Sequence, residues 1–404
     1  MPDREAVSGP LQGLKVLDLT AMLAGPYATM LLADLGADVV KIESPTGDLT
    51  RGVGPFRDGA GEGRLGGYFQ SVNRGKRSVV LDLKTAGGRD RFLALVARAD
   101  VVTENFSAGV MERLGLGYET LAEINPRLVY AAVRGFGDAR TGESPYASWP
   151  AFDVVAQAMG GFLSVTGTAD GQPVKSGPGI GDLFPAVLLA VGVLAAVRHA
   201  EHTGEGQFLD VAMYDAVLSL TERIVYQYSA TGQIPAPQGN SHPLLCPFDI
   251  FPTADGWMAV AAPSDRHWAV VAERIGRPDM AADERYRTNA ARLRHAPEVR
   301  AALEAWLSGR TNAEVVAALG GTVPIGPVND VAAIYADPHV AARRMLVDLD
   351  DPGSGRPMTV AGQPIKFTRT PAHPSRRAPV LGEDQADAVL AQWSPSPLAG
   401  GQPR

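Results

Sequence analysis

Residues 14–44, LKVLDLTAMLAGPYATMLLADLGADVVKIES, carry the pattern on which the fold depends. LKVLDLT (14–20) is rich in Leu and Val and predicts a buried strand. GPYATMLLADLGA (25–37) predicts a helix that ends at a glycine, and DVVKIES (38–44) predicts a second strand. A strand, a helix and a strand in close succession form a βαβ unit, in which both strands are parallel members of one sheet.

The same alternation continues along the chain. RSVVLDLKT (77–85), DVVTENF (100–106) and LVYAAVRGFG (128–137) predict three more strands, and GRDRFLALVARA (88–99) predicts a helix between two of them. We therefore predict an α/β fold with a parallel sheet covered on both faces, which binds ligands at the carboxyl ends of its strands. Neither a G-x-G-x-x-G after the first strand nor a Walker A motif is present, which disfavours a Rossmann dehydrogenase and a P-loop NTPase.

The 404 residues predict more than one domain. We expect residues 1–220 to form the N-terminal part of a large domain and residues 239–321 a small α+β domain, with linkers at 221–238 and 322–345. In the small domain, FDIFPTADGWMAVAA (248–262) predicts a hairpin and the following segments predict amphipathic helices. Residues 346–393 form the C-terminal part, and 394–404 predict a disordered tail.

Composition restricts the function further. The formal net charge of −7 disfavours nucleic acid as a partner. Cys246 is the single cysteine and the N-terminus lacks the apolar core of a signal peptide, which together favour the cytoplasm. The apolar run 183–197 favours a buried helix over a membrane span, because it is short and contains Pro185 and Gly192. His199 and His202 favour a solvated helix end, so no metal site is expected.

Asp182 lies between SGPGIG and that apolar run, and two interpretations are open. It is a good N-cap for a helix, where a negative charge is also favoured. Alternatively it is a nucleophile, because Gly177, Gly179 and Gly181 allow a ligand to approach closely. In that interpretation free backbone N–H groups beside the carboxylate would stabilise an oxyanion.

Basic residues are concentrated near the predicted strand ends. NRGKRS (73–78) contains three of them, and single arginines follow or end other strands. Each alone is a surface charge by default, but several at one edge of a sheet predict a pocket for a phosphorylated small molecule. The residues are Arg51, Arg74, Lys76, Arg77, Arg113 and Arg134.

Taken in order, segments from about residue 11 to 390 resemble the family III CoA-transferases, the group of formyl-CoA transferase and carnitine CoA-transferase. No single segment is decisive; their joint order and spacing make the resemblance specific. The segments are residues 11–43, NRGKRSVVLDLK, DVVTENFSAGVMERLGLGYETL, NPRLVYAAVRGFG, FDVVAQAMGG, VTGTADGQPVKSGPGIGD, VGVLAAVRHAEHTGEGQ, VPIGPVND and APVLGED.

This resemblance implies an acyl-CoA:carboxylate CoA-transferase in which Asp182 is the catalytic aspartate. In the family mechanism the carboxylate attacks the thioester and forms a mixed anhydride, which CoA thiolate converts into an aspartyl-CoA thioester. The CoA thioester is a substrate, and no tightly bound cofactor is implied. The implied CoA site consists of Ala21, Met22, Leu23, Ala24, Lys76, Arg77, Asn105, Phe106, Arg113 and Arg134.

The resemblance also implies a Rossmann-like large domain to which the C-terminal part returns, a small domain, and a homodimer whose two chains are interlocked rings. Departures from formyl-CoA transferase are Ala21 and Leu23 in place of a histidine and a glutamine, and Ser44 in place of an arginine. A glycine-run flap is absent from PQGNSHPLLCPFD (237–249). Formate or oxalate specificity is therefore not expected.

Alternative functions remain open at this point. The α-methylacyl-CoA racemases share the fold but use a histidine where this chain has Phe152, which cannot exchange a proton. A lyase or hydrolase on the same fold, or a regulatory nucleotide-binding protein, are further alternatives. We expect Phe152, Gly179 and Gly181 to line the acyl pocket, and the apolar residues 21–23 favour an acid less polar than oxalate, with dicarboxylates such as succinate still possible donors or acceptors.

Overall fold

The computed structural model describes residues 9–56, 65–351, 354–374 and 376–393. The chain divides into two compact units. The first is drawn from Met1–Phe162, Ser176–Ala230 and His339–Arg404, and the second from Leu163–Lys175 and Thr231–Pro338. The predicted tail, 394–404, lies outside the described residues, and the boundaries that we inferred from sequence stay a prediction.

Strands and helices alternate through the first part of the chain, whereas helices dominate the rest. The strands are β1 Lys15–Asp18, β2 Asp38–Glu43, β3 Arg77–Val80, β4 Val101–Glu104, β5 Val129–Arg134, β6 Phe208–Ala212, β7 Phe248–Pro252, β8 Trp257–Ala261, β9 Ile325–Pro327, β10 Leu346–Leu349 and β11 Met358–Ala361. The helices are α1 Ala24–Asp34, α2 Gly67–Asn73, α3 Ala86–Val96, α4 Val110–Arg113, α5 Tyr118–Ile124, α6 Asp153–Met159, α7 Phe162–Val165, α8 Ile180–Thr203, α9 Met213–Leu220, α10 Glu222–Thr231, α11 Asp265–Arg274, α12 Pro278–Ala282, α13 Asn289–Arg294, α14 Ala296–Leu307, α15 Asn312–Leu319, α16 Val331–Ala336, α17 Pro338–Ala342 and α18 Ala386–Gln392.

The first unit is built on a six-stranded parallel sheet in the order β3-β2-β1-β4-β5-β6, which confirms the predicted parallel sheet. Alternate residues face opposite sides: Val16 packs with residues of α1 and α8, whereas Leu17 packs with residues of α3 and α18. Because both faces are buried, each strand carries apolar residues on both sides, although buried charged residues such as Asp18, Lys41 and Glu104 also lie in the strands. The strand order reverses between β1 and β4, and a crevice for ligands lies at such a point.

The sixth strand, β6, was not predicted from the sequence. Its residues pair with β5 in register from Tyr130 opposite Phe208 to Arg134 opposite Ala212. β6 is an edge strand whose first four residues are only partly buried, and Asp210 stands in its middle. A half-buried edge needs fewer apolar residues than a central strand, which weakens the sequence signal.

Helix α8 differs from its prediction in length and at its start. It has 24 residues and begins at Ile180, so Asp182 lies inside the first turn and Gly179, not Asp182, is the N-cap. By length and apolar composition the helix could cross a membrane, but Leu189 and Val193 are buried against α1 and the sheet. It serves as a core helix of the first unit.

The C-terminal segment contacts the β3 edge of the sheet and helix α3. Arg77 forms ion pairs with Asp384 and Asp38, and Trp393 Nε1 donates to the same Asp38 carboxylate over 2.7 Å. Val389 and Trp393 are buried in the apolar cluster on the α3 face of the sheet. Residues far apart in the chain thus complete one core.

The second unit contains the antiparallel sheet β7-β8-β9 and the helices α11 to α15. The β7–β8 pair confirms the predicted hairpin, with Phe248 opposite Ala261 and Pro252 opposite Trp257. The segment 290–309, for which the sequence predicts amphipathic helix, forms two helices, because the chain breaks at His295 and restarts with Pro297 in the first turn of α14.

Helix α6 packs closely on the start of α8, and Gly181 is the residue at the contact. A Cβ added to Gly181 would lie 2.4 Å from the Asp153 carbonyl oxygen and 3.1 Å from the Ala156 Cβ. We expect Gly181→Ala to force the helices apart and lower the free energy of unfolding by about 1–3 kcal/mol. Urea denaturation would measure the loss.

The matched control is Gly177→Ala in the same segment, because a Cβ there meets no atom within 4 Å. Equal urea midpoints for the two variants would contradict the close packing of α6 on α8.

Candidate active site

The loops after β1 and β4 meet where the strand order reverses. The Asn105 carboxamide accepts a hydrogen bond from the Ala21 backbone N–H over 2.8 Å and donates one to the Ala21 carbonyl over 2.7 Å. Met22 follows with a φ of 69°, the left-handed region, and Leu23 is the N-cap of α1. Parts of the chain that the resemblance assigned to one CoA site are therefore in direct contact.

A cavity of about 260 Å³ opens beside these loops, at the carboxyl ends of β1 to β4. It contains Ala21 and Phe106 from the predicted CoA site, together with apolar residues that follow β3 and Lys84 at its edge. Its other lining residues include Leu19, Ile42, Ser44, Leu81, Leu83, Val110 and Leu114. The charged residues Lys41, Glu43, Asp48 and Asp82 also line it. A mostly apolar wall beside the exposed Lys84 suits an aromatic base that carries phosphates.

Most of the predicted phosphate-binding cations are used inside the protein. Lys76 Nζ lies 2.8 Å from Asp18 Oδ2, 2.9 Å from Asn73 Oδ1 and 3.0 Å from the Pro26 carbonyl, so its three N–H groups are all engaged. The Lys76 side chain is fully buried. A fully engaged ammonium has no N–H group left to donate to a phosphate.

The arginines divide in the same way. Four of them pair with buried or partly buried carboxylates, whereas Arg113 is exposed at the end of α4 and has no ion-pair partner among the described residues. Of the predicted cations, Arg113 is therefore the one best placed to meet an external anion. The engaged pairs are Arg51–Glu43, Arg74–Asp34, Arg77–Asp38/Asp384 and Arg134–Glu104/Asp138.

The first turn of α8 is held by α6. Asp153 Oδ1 accepts a hydrogen bond from the Gly181 backbone N–H over 2.8 Å, and Gln157 Nε2 donates to both Asp153 oxygens. The Gln157 Oε1 atom accepts from the Ser176 N–H over 3.1 Å. Asp153 thus caps α8, the role that sequence patterns gave to Asp182.

The N–H groups beside Asp182 are already bonded, which corrects the expectation of free donors at this turn. The Ile180 N–H donates to the Pro178 carbonyl, the Asp182 N–H to the Gly179 carbonyl, and the Gly181 N–H to Asp153. An oxyanion formed at Asp182 would have to find other donors.

The Asp182 carboxyl is in a low-polarity, negatively charged setting. Burial, with a smaller contribution from the Asp153 charge, raises the pKa of Asp182 to about 7. No hydrogen bond to the Asp182 carboxylate occurs among the described residues. Carboxyls with a strongly raised pKa are over-represented at catalytic sites.

Tyr68 on α2 belongs to the same neighbourhood. Burial and the charges of Asp182, Asp48 and Asp153 together raise the pKa of the Tyr68 phenol. The phenol therefore stays protonated. Neither Tyr68 nor Asp153 was singled out from the sequence, where each is an ordinary residue at the start of a helix.

The loop after β1 also reaches Gly179, the N-cap of the helix that carries Asp182. A Cβ on Gly179 would lie 3.3 Å from Leu23 Cδ2 and 3.6 Å from the Asp153 carboxyl carbon. Gly179 therefore leaves space between these groups, whereas Gly181 serves helix packing. Phe152 stands next to Asp153 with 61% of its side chain exposed.

Comparison with known proteins shows the family of this chain. The model of CoA-transferase family III matches residues 11–385. A succinyl-CoA:mesaconate CoA-transferase from Haloarcula hispanica is 54% identical over 94% of this chain and 96% of its own length. A succinate–glutarate CoA-transferase from Agrobacterium fabrum is 40% identical over 97% of both chains.

A crystal structure of a CAIB/BAIF family protein from Brucella suis superposes with a TM-score of 0.84, at 36% identity, over 96% of this chain and 100% of that one. The chain belongs to the family III CoA-transferases. Both the resemblance and the predicted acyl-CoA:carboxylate CoA-transferase activity are thereby confirmed.

The buried Lys76 allows a test of its structural role. We expect Lys76→Met to leave the Asp18 carboxylate buried and unpaired and to lower the free energy of unfolding by about 3–5 kcal/mol. Urea denaturation would measure the loss, with Lys84→Met as the exposed control, for which a change of less than about 0.5 kcal/mol is expected. Similar stability losses in the two variants would contradict a structural role for Lys76.

Proposed function

We propose that this enzyme transfers CoA through covalent intermediates on Asp182. The observation that carries the proposal is a half-buried carboxyl, bonded to no described side chain, on a turn that Asp153 and Leu23 flank. A carboxylate without hydrogen-bond donors is a better nucleophile than a paired one, and covalent catalysis divides a difficult exchange into easier steps.

The proposed transfer of CoA takes four steps on Asp182. The Asp182 carboxylate attacks the thioester carbonyl, the C–S bond breaks, and CoA leaves as a thiolate from a mixed anhydride. The thiolate attacks the Asp182 carbonyl carbon of that anhydride, which releases the donor acid as a carboxylate and leaves an aspartyl-CoA thioester. The acceptor carboxylate then attacks this thioester, its C–S bond breaks, and CoA thiolate leaves an anhydride between the acceptor and Asp182. The thiolate attacks the acceptor's carbonyl carbon of that anhydride, which delivers the new acyl-CoA and restores the Asp182 carboxylate.

We place the adenosine part of CoA in the cavity of about 260 Å³ at the ends of β1 to β4. Its lining by Ala21 and Phe106 supports this placement, and Arg113 and Lys84 are the cations available to its phosphates. Arg77 and Arg134 hold the sheet and its loops through ion pairs instead. The remote CoA contacts then contribute binding energy to the steps at Asp182.

We propose a succinyl-CoA-type donor and a short dicarboxylic acid as acceptor. Relatives named for succinyl-CoA and mesaconate, and for succinate and glutarate, support this substrate class. The apolar Leu23 beside Gly179 and the exposed Phe152 provide a surface for a short carbon chain. Phe152 carries no base, so a racemase, which needs a second base opposite Asp182, is disfavoured.

We also propose a homodimer of interlocked chains in the cytoplasm. Apolar residues on the outer faces of two helices support a partner surface: Val191 of α8 is 57% exposed, and Tyr226 and Tyr228 of α10 are 52% and 57% exposed. Large exposed apolar residues are found at interaction surfaces when they lie close together.

Trapping tests the covalent step. With succinyl-CoA and hydroxylamine, we expect Asp182 to be converted into a hydroxamate that peptide mass spectrometry locates. Asp182→Ala should give no adduct and lower the transfer rate by about 10³-fold or more, because no other group can form the anhydride. Full transfer activity in Asp182→Ala would refute the role of Asp182.

The pH dependence tests the electrostatics. Only the ionised Asp182 can attack, and its pKa is raised to about 7, so kcat/KM should rise with pH through about 7 and then level off. Asp153→Asn removes the neighbouring negative charge and should move the midpoint of this profile to lower pH.

Asp100→Asn is the matched control for the pH experiment. Asp100 is also a partly buried carboxyl with a raised pKa, but it lies beside Lys15 at the opposite end of the sheet. It should leave the midpoint unchanged. An unchanged midpoint in Asp153→Asn would contradict electrostatic coupling between Asp153 and Asp182.

A further inference from the structure

The loop after β1 is fixed by side chains from three neighbouring elements. Asp18 accepts a hydrogen bond from the Thr20 backbone N–H over 2.9 Å, and Lys41 of β2 donates to the Thr20 carbonyl. Asn105, which follows β4, takes the next peptide groups by bonding to the Ala21 N–H and carbonyl. Beyond Ala21 the chain turns sharply at Met22 into helix α1.

Asn105 extends the parallel ladder beyond the strands. The last backbone bond between these elements joins the Leu19 N–H to the Thr103 carbonyl over 2.9 Å. Two residues further along both segments, the Ala21 N–H donates to the Asn105 side-chain oxygen instead of to a backbone carbonyl. The carboxamide thus supplies one acceptor and one donor, the pair that a continued strand would have offered.

The two hydrogen bonds between Asn105 and Ala21 lie immediately before a strained residue. Met22 has a φ of 69°, where L-residues other than glycine, asparagine and aspartate are unfavourable. Strained backbone persists only where its surroundings hold it, and it is concentrated at functional sites. Here Ala21 lines the cavity and Leu23 reaches the Gly179 position beside Asp182, so one short loop contacts both parts of the site.

We infer that Asn105 is a positioning residue for CoA binding, acting through the loop 21–23 and not by contact with CoA. The two hydrogen bonds hold Ala21 and thereby keep Met22 in its left-handed conformation. The inference rests on the proposed CoA site, because the loop lines the cavity where we place the adenosine. It differs from the direct contact between Asn105 and CoA that the family resemblance implies.

A double-mutant cycle in CoA binding tests the inference. Asn105→Ala should raise the Kd for CoA, measured by calorimetry, by about 10-fold. With Met22→Gly already present, the same Asn105→Ala change should raise the Kd by less than about 3-fold, because glycine adopts a positive φ without strain. A 10-fold loss in both backgrounds would overturn the inference, because the effect of Asn105 would then not depend on the conformation of Met22.

Asn125→Ala separates positioning from general stability. The Asn125 carboxamide also makes two hydrogen bonds, to the Val96 and Ala99 carbonyls, but away from the cavity. Both alanine variants should lower the melting temperature, whereas the Kd for CoA should rise only in Asn105→Ala. An unchanged Kd in Asn105→Ala would also overturn the inference. Because Kd is measured with CoA alone, failure of hydroxylamine trapping at Asp182 would not affect this test.

Discussion

The buried carboxylate of Asp18 at the end of β1 joins the elements on which the site depends. It accepts hydrogen bonds from Lys76 before β3, from Thr29 of α1 and from Thr20 in the following loop. Asp18 is fully buried, and although burial raises its pKa, the opposing charges of Lys76 and Lys41 hold that pKa at about 2. Its charge is therefore permanent, and every partner must stay in place to compensate for it.

The bonds to the Asp18 carboxylate also fix the position of the loop after β1. Once Thr20 is held by Asp18 and Lys41, Ala21 comes within reach of Asn105, and the chain can enter α1 only through the strained Met22. The charges that look from the sequence like phosphate ligands instead pair with carboxylates inside the protein. If CoA binds where we propose, backbone geometry and a largely apolar cavity would contribute most of its contacts, with few free cations.

The sequence predicted the strands that are fully buried in the sheet, and it identified residues whose role depends on their neighbours in the chain. The strands β1 to β5 are apolar on both faces and were predicted, whereas the edge strand β6 was not. Asp182 was singled out from its neighbours in the chain, and its catalytic role stays a prediction. The partner of Lys76 lies 58 residues earlier, and no local pattern distinguishes a lysine that pairs inside the core from one that binds phosphate.

Asp153 caps helix α8 and thereby leaves the proposed nucleophile, Asp182, free of that role. Sequence patterns gave Asp182 the task of capping α8, but a carboxylate that caps a helix is bound by N–H groups, which lowers its pKa and its reactivity. In the structure Asp153 accepts the Gly181 N–H and Asp182 accepts none of the described donors. This division of tasks between two carboxylates leaves one bonded and structural, and the other half-buried with a pKa of about 7, which suits the nucleophile that we propose.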